Sequence, residues 1–339
     1  MRVGLIGAGY WGPNILRVLR EIDGVEVACV ADARPGRREF VERKFPGLRT
    51  VSNEKDVFSR DDIDAVFIAT PAETHRDLVI QALIAGKHVF VEKPLATRVC
   101  DAEEMNAAAE AAGRTLAVGH LFLFHPAVAQ LKQLLDAGKM GDIYFMSSTR
   151  KNLGPPNAAV DVLWDLAPHD ISIALYLMDE IPCSVIARGA GFSSHGLTET
   201  AYVNLDFPSG RMAQINVSWL TPNKVRSLEV VCSNRTALFD DMEPVYKLKV
   251  FEQGVDNRKN LDPGSSVSLG YGPGGVSMPA LPTYEPLRAE CEHFFDCIHS
   301  SREPINSGRR ALATVAVLQA ATESIRVARG SRVHVAAAD

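Results

Sequence analysis

Short apolar runs alternate with helix-period stretches through the first third of the chain. Val3, Leu5 and Ile6 precede Gly7-x-Gly9-x-x-Gly12, and Ile15, Leu16, Leu19 and Ile22 then follow helical spacing as far as Gly24. Residues 25–31 predict a second strand ending at Asp32. Residues 37–45 predict a helix stopped by Pro46-Gly47, and residues 57–59 begin a short turn. Strands over 64–70, 88–91 and 116–119 then alternate with helices over 74–85 and 102–112. This alternation predicts a parallel, doubly wound α/β sheet with right-handed crossovers.

The pattern changes near residue 121. A helix over 126–137 closes at Gly138. Strand candidates then follow one another at 143–150, 184–189, 201–207, 212–219, 227–232, 236–239 and 246–251, with a hairpin signal at Phe207-Pro208-Ser209-Gly210-Arg211. A helix over 162–178 interrupts them. Residues 264–286 are rich in glycine and proline and lack periodicity, and helices over 287–299 and 308–328 close the chain. Two domains are expected: residues 1–121 with the parallel sheet, and residues 122–339 as a mostly antiparallel α+β unit whose last helix can pack back on the first.

The opening motif has a chemical reading. Gly7 permits a tight turn, Gly9 lets the backbone approach a pyrophosphate, and Gly12 lets the helix pack on the strand. The helix start offers free N–H groups to phosphate. Asp32 lies about 20 residues past the last glycine, where a carboxylate receives ribose hydroxyls and repels a 2′-phosphate. NAD is therefore expected over NADP, although Arg34, Arg37 and Arg38 lie just beyond.

Ligands of open α/β sheets bind beyond the carboxyl ends of the strands. Thr70-Pro71-Ala72-Glu73-Thr74-His75, Glu92-Lys93-Pro94 and Gly119-His120 end there. Lys93 ends an apolar strand, where an ammonium can move a proton or position substrate; a solvated turn lysine is the plain alternative. Asp165 and His169 are one helical turn apart, so they form either a general base with its orienting carboxylate or a helix cap and an ordinary packed histidine. His120 and His125 flank the crossover between domains, as substrate contacts or as packing. Arg150, at a strand end beside Lys151, either clamps an anionic group or is solvated.

Composition narrows the class. The 339 residues are 46% hydrophobic and 23% charged, with a formal net charge of −5, which gives no basis for a nucleic-acid or anionic-membrane partner. No apolar run is long enough to span a bilayer, and the chain enters a strand at once, leaving no room for a signal peptide. Cys29, Cys100, Cys183, Cys232, Cys291 and Cys297 are scattered without C-x-x-C, so reduced thiols, a cytoplasmic location and no metal site are expected.

Gly7-Ala8-Gly9-Tyr10-Trp11-Gly12, Ala69-Thr70-Pro71 with His75, Glu92-Lys93-Pro94 and Asp165-x-x-x-His169 together resemble the Gfo/Idh/MocA family of sugar and inositol oxidoreductases, over nearly the whole chain. The resemblance implies a Rossmann domain plus an open-faced antiparallel sheet domain. It implies cofactor contacts from Gly7, Gly9, Tyr10, Trp11, Gly12, Asp32, Thr70, Pro71, His75, Glu92, Lys93 and His120. Lys93 would lie near nicotinamide and the reacting hydroxyl, His169 would be the acid/base, and Asp165 would orient it; His125, Arg150 and Asn152 complete the expected substrate contacts. The family's usual Asp-x-Gly-x-His reads Asp165-Leu166-Ala167-Pro168-His169 here. Residues 163–171, with Arg150-Lys151-Asn152-Leu153-Gly154 and Glu285-Pro286-Leu287, are similar to the branch acting on nucleotide sugars. That branch implies NAD-dependent oxidation at C3 of a sugar such as UDP-N-acetylglucosamine or its uronate. The alternatives are a 3-keto-sugar-nucleotide reductase, a free sugar or inositol dehydrogenase, or a cofactor-binding regulator without turnover. An apolar face on the second sheet predicts a homodimer or homotetramer.

Overall fold

The computed structural model describes residues 1–153, 160–193, 196–252 and 274–327. The first sheet contains β1 (Arg2–Ile6), β2 (Glu26–Ala31), β3 (Thr50–Val51), β4 (Ala65–Ile68), β5 (His88–Val91) and β6 (Leu116–Val118). All its pairs are parallel, in the spatial order β3-β2-β1-β4-β5-β6. This is the doubly wound dinucleotide-binding order, whose ligand crevice opens beyond the strand ends where the order reverses between β1 and β4. The connecting helices are α1 (Gly12–Glu21), α2 (Pro35–Lys44), α3 (Lys55–Phe58), α4 (His75–Ile84) and α5 (Val99–Ala112). Of the turn expected at 57–59, Val57 and Phe58 lie in the short helix α3 and Ser59 caps it, and the two-residue β3 has no counterpart in the sequence pattern.

The rest of the chain supplies α6 (Pro126–Asp136), β7 (Ile143–Lys151), α7 (Val162–Met178), β8 (Ser184–Ala190), β9 (Thr200–Asp206), β10 (Met212–Ser218), β11 (Val225–Cys232), β12 (Thr236–Asp240), β13 (Leu248–Phe251), β14 (Val276–Ser277), α8 (Pro286–Ser300) and α9 (Gly308–Val327). The strands form one eight-stranded sheet in the order β14-β13-β12-β11-β7-β10-β9-β8. Its pairs are antiparallel except β7 with β10. Residues 264–273 of the expected loop and residue 328 of the expected last helix lie outside the described residues; of the loop's remainder, Val276–Ser277 forms β14. Leucine, valine and alanine from the inner face of this sheet pack on α6, α7 and α9. The outer face is bare: Phe145, Ile186, Tyr202 and Met212 are each more than a third exposed.

The two closing helices are shared between the lobes. Leu287, Cys291, Phe294 and Phe295 of α8 enter the core of the first sheet. There Phe294 meets the rings of Phe67 and Phe90 edge-on, with centroids 5.6 and 5.8 Å away. In α9, Ala311 and Val315 pack on the first lobe, while Val317, Leu318 and Ala321 pack in the second. Between these helices, Ser307 bridges Ala117 and Asn306 bonds the backbone of Val118, closing the free edge of β6. The first lobe's core therefore needs residues more than 150 positions downstream of its last strand. A fragment ending at residue 121 is expected to show no cooperative urea transition, because it leaves Phe67 and Phe90 uncovered. In the full chain, Phe294→Ala should cost about 3–5 kcal/mol, read as a shift in the denaturation midpoint.

Candidate active site

The glycine turn is built as its spacing requires. Gly7 has φ of +94°, and a Cβ there would lie 2.6 Å from Ala69 O. A Cβ on Gly12 would lie 2.1 Å from Gly7 O, so glycine alone lets α1 start against the turn. No side chain caps α1, Pro13 brings no N–H to its first turn, and Asn14 N donates to Trp11 O at 2.8 Å. Beyond the turn, Asp32 accepts from Ala8 N at 2.8 Å and from Arg34 Nε and Nη2 at 3.0 and 2.9 Å. Burial acts against this carboxylate, but the Arg34 guanidinium and the two backbone N–H groups hold it below its ordinary pKa. Arg37 donates to Ala8 O and Gly9 O, and Arg38 to Asp32 O and Ala33 O. All three arginines are thus engaged in holding the turn and the carboxylate.

At the tip of β5, Lys93 reaches across to the second lobe. Its Nζ donates to Asp165 O at 2.8 Å and lies 3.4 Å from Asp165 Oδ1. Trp219 Nε1 donates to the other carboxylate oxygen at 3.2 Å. Asp165 sits in the first turn of α7, which is capped by Asp161 accepting from Trp164 N at 3.1 Å. Pro168 follows inside the helix and removes the N–H that would bond Trp164 O, loosening the helix next to the turn that Lys93 approaches. His169 comes one turn after Asp165, with Phe122 edge-on at 5.1 Å. Burial, then the charges of Lys93 and Arg150, hold its imidazole well below the ordinary histidine pKa. That environment favours the neutral imidazole.

Lys93, Asp165 and His169 line one cleft of about 1280 Å³ with Gly7, Gly9, Tyr10, Trp11, Asp32, Thr70, Pro71 and Glu92. Its length runs from the Asp32 carboxylate past the glycine turn to the Lys93–His169 end. The residues fit NAD: Asp32 for the ribose once Arg34 moves off its carboxylate, and Gly9, with only a terminal Arg34 nitrogen within 4 Å of its missing Cβ, for the approach of pyrophosphate. Among the described residues, no three histidine, cysteine or acidic side chains gather as a metal site, and all six cysteines are free thiols.

Several expected contacts are placed elsewhere. His75 is buried, with its two ring nitrogens 2.9 Å from Pro94 O and 3.0 Å from Thr70 O; it staples two cleft-lining loops from behind. His120 is buried on the wall of a separate cavity of about 420 Å³, between α7 and α9, where burial and then Lys93 press its pKa to about 4. His125 caps α6, accepting from Ala127 N at 3.2 Å, and its Nε2 lies 3.4 Å from Asp241 Oδ1. Arg150 is no anion clamp: it is buried in an ion pair with Asp170 at 2.6 Å. Asn152 is not on the cleft wall; its N–H extends the β7–β10 ladder to Ser218 O. Gly12 lies beneath the cleft floor rather than in it. Phe122 and Arg226 do line the cleft, and Trp219 holds Asp165. Their sequence context carries no motif, and only their strand and turn positions could have hinted at them.

Glu92 is the motif's other charged residue. A Cβ on Gly119 would lie 2.9 Å from its Oε2, so glycine there makes room for the carboxyl. Burial raises Glu92 to about 7, against the pull of Lys93. Behind it, Glu290 of α8 accepts from Asn306 Nδ2 at 3.2 Å, and burial and the Glu92 charge raise it well above the ordinary value.

Two family models match the chain: the oxidoreductase family with an NAD-binding Rossmann fold over residues 1–120, and the GFO/IDH/MocA C-terminal domain over residues 128–238. The scyllo-inositol 2-dehydrogenase (NAD(+)) of Bacillus subtilis strain 168 is 27% identical over 336 residues, 96% of this chain and 93% of that protein. A structure from Magnetospirillum magnetotacticum MS-1, assigned as an oxidoreductase, is 30% identical with a TM-score of 0.79, covering 94% of this chain and 99% of that one. UDP-N-acetylglucosamine 3-dehydrogenase GnnA from Acidithiobacillus ferrooxidans shares the fold, with a TM-score of 0.83 at 24% identity over 96% of this chain and 97% of that one.

The buried acid makes a prediction about pH. Glu290 holds its proton more tightly folded than unfolded, so it lowers stability as pH climbs above the ordinary carboxyl value of 4.5. Glu290→Gln should remove that loss. Urea midpoints of the variant are expected to gain on the native protein between about pH 5 and pH 8; parallel curves would contradict the assignment.

Proposed function

The chain belongs to the Gfo/Idh/MocA family of NAD-dependent sugar and polyol oxidoreductases, and we propose that it oxidises a ring hydroxyl, at C3, of a nucleotide-linked sugar such as UDP-N-acetylglucosamine or its uronate. The observation that carries the reaction is the contact from Lys93 to the first turn of α7, which puts an ammonium and the neutral His169 on one cleft wall. Bound nicotinamide supplies a two-electron acceptor for the hydride leaving carbon. His169, kept unprotonated by burial, takes the hydroxyl proton. Lys93 stabilises charge developing on the oxygen, and Asp165, fixed by Trp219, holds the Lys93 ammonium in place. Asp32 binds the adenosine ribose after Arg34 swings off its carboxylate, and the turn at Gly7–Gly12 takes the pyrophosphate.

The nucleotide-sugar reading is supported by the similarity of residues 163–171 to that branch. The cleft of about 1280 Å³ exceeds the roughly 300–1,000 Å³ of a one-ligand pocket, as a dinucleotide with a substrate beside it requires. The exposed Phe145, Ile186, Tyr202 and Met212 on the outer face of the second sheet form the surface on which a homodimer or homotetramer assembles in this reading.

The test is NADH formation with UDP-N-acetylglucosamine, its uronate, myo-inositol and scyllo-inositol. Oxidation of the inositols alone would overturn the nucleotide-sugar assignment. With the accepted substrate, His169→Ala should lower kcat by about 10²–10⁴-fold and Lys93→Ala by about 10²–10³-fold. Near-native kcat in both variants would end the proposed mechanism.

A further inference from the structure

We infer that Arg226 recognises an anionic group on the substrate, so that the cleft selects sugars carrying a carboxylate or phosphate close to the oxidised ring. This rests on the sugar-oxidoreductase reading and narrows its substrate class.

The inference begins with a register. Arg226 on β11 stands directly opposite Arg150 on β7, on the inner face of the second sheet. Like charges in directly opposed positions repel. Each therefore needs a partner, and the two are partnered differently. Arg150 has Asp170 to itself at 2.6 Å, with both side chains only 5% exposed. The Phe122 ring takes both cations, its centroid 4.2 Å from Arg150 Cζ and 5.7 Å from Arg226 Cζ. Arg226 has only a share of one carboxylate. Asp241 Oδ2 lies 3.2 Å from Arg226 Nη1, while its Oδ1 lies 3.3 Å from Lys247 Nζ and 3.4 Å from His125 Nε2.

The local charges then do not cancel. Lys93 is matched by Asp165, and Arg150 by Asp170. Arg226 and Lys247 share Asp241, which leaves one positive charge over. Of these two, Arg226 lines the cleft, beside Asp165 and His169, with its side chain 32% exposed. Glu92, also on the cleft wall, is buried, and burial favours its neutral form. Asp32, at the cleft's far end, is covered by Arg34. An unbalanced guanidinium at the substrate end of a partly enclosed cleft attracts an anion strongly, and its planar fork matches carboxylate and phosphate oxygens. A neutral sugar would leave that charge without a complement. Both a uronate carboxylate on the ring and the pyrophosphate of a nucleotide sugar supply the needed chemistry.

The experiment uses the full chain with NAD, comparing native protein, Arg226→Gln and Arg226→Lys. The substrates are UDP-N-acetylglucosamine, its uronate, free N-acetylglucosamine and free N-acetylglucosaminuronate. Removing a charged hydrogen bond should raise KM for the anionic substrates about tenfold to a hundredfold in Arg226→Gln, with kcat less affected. Arg226→Lys, which keeps a cation beside Asp241, should recover part of the loss. Neutral N-acetylglucosamine should change by less than about twofold. A loss confined to both uronates identifies the carboxylate; a loss confined to both UDP-sugars identifies the pyrophosphate. An unchanged KM for all anionic substrates, or an equal rise for the neutral sugar, overturns the inference.

A second readout does not need turnover. Glucuronate, inorganic pyrophosphate and glucose are titrated calorimetrically into the NAD complex. Anion binding that Arg226→Gln abolishes supports the inference even if no sugar is oxidised, which would count only against the proposed reaction. Anion affinities equal in native protein and Arg226→Gln overturn the inference.

Discussion

The structure turns on the reach of one ammonium across a domain seam. Lys93 leaves the end of a parallel strand and donates to the backbone of the helix that carries His169. That contact fixes the distance between the two lobes at the point where chemistry is proposed. It works only because the seam cannot open freely there. Helices α8 and α9 have side chains in the cores of both sheets or bridge them, and residues 306–307 close the β6 edge. A backbone oxygen is also a steadier target than a carboxylate alone, since α7 holds it in place whether or not Asp165 changes its charge or rotamer. The Asp165 carboxylate is then free to be shared between Lys93 and Trp219.

Much of this was legible because its signals are local. The glycine turn and the strand ends were read from neighbours within a few residues, and the acid at Asp32 from its fixed spacing of about 20 residues past the last glycine. The span of α7 matched residues 162–178, since Asp161 supplies its cap and Asp179 ends it in the left-handed conformation. Weak elements were missed for a physical reason: β3 and β14 have two residues each and are specified by the strands beside them.

The misplaced contacts share a different cause. A polar residue at a strand end reads the same whether it faces a ligand or a carbonyl. His75 satisfies both ring nitrogens on Thr70 and Pro94 oxygens, and no feature of residues 70–75 announces Pro94 as a partner. Arg150 looked free because Asp170, its partner, lies on a helix 20 residues later. Arg226 was passed over for the reverse reason: an arginine near a turn is ordinary until the register sets it against Arg150. The role of α8 in the first core was hidden because its apolar stripe says only that it packs, not on what.

The site also shows why its two proposed working groups are not interchangeable. A buried imidazole loses its charge more readily than it finds a counterion, so enclosure yields a neutral base at His169. The Lys93 ammonium is matched by two oxygens of Asp165, main-chain and side-chain, and faces the same cleft. Its charge in turn presses His169 further toward the neutral form. In the proposed reaction the cation that stabilises the oxygen thus keeps its neighbour unprotonated while lowering its basicity. A His169 carrying the hydroxyl proton would face the Lys93 charge, which favours release of that proton once hydride transfer has turned the alkoxide into a ketone that no longer takes it back.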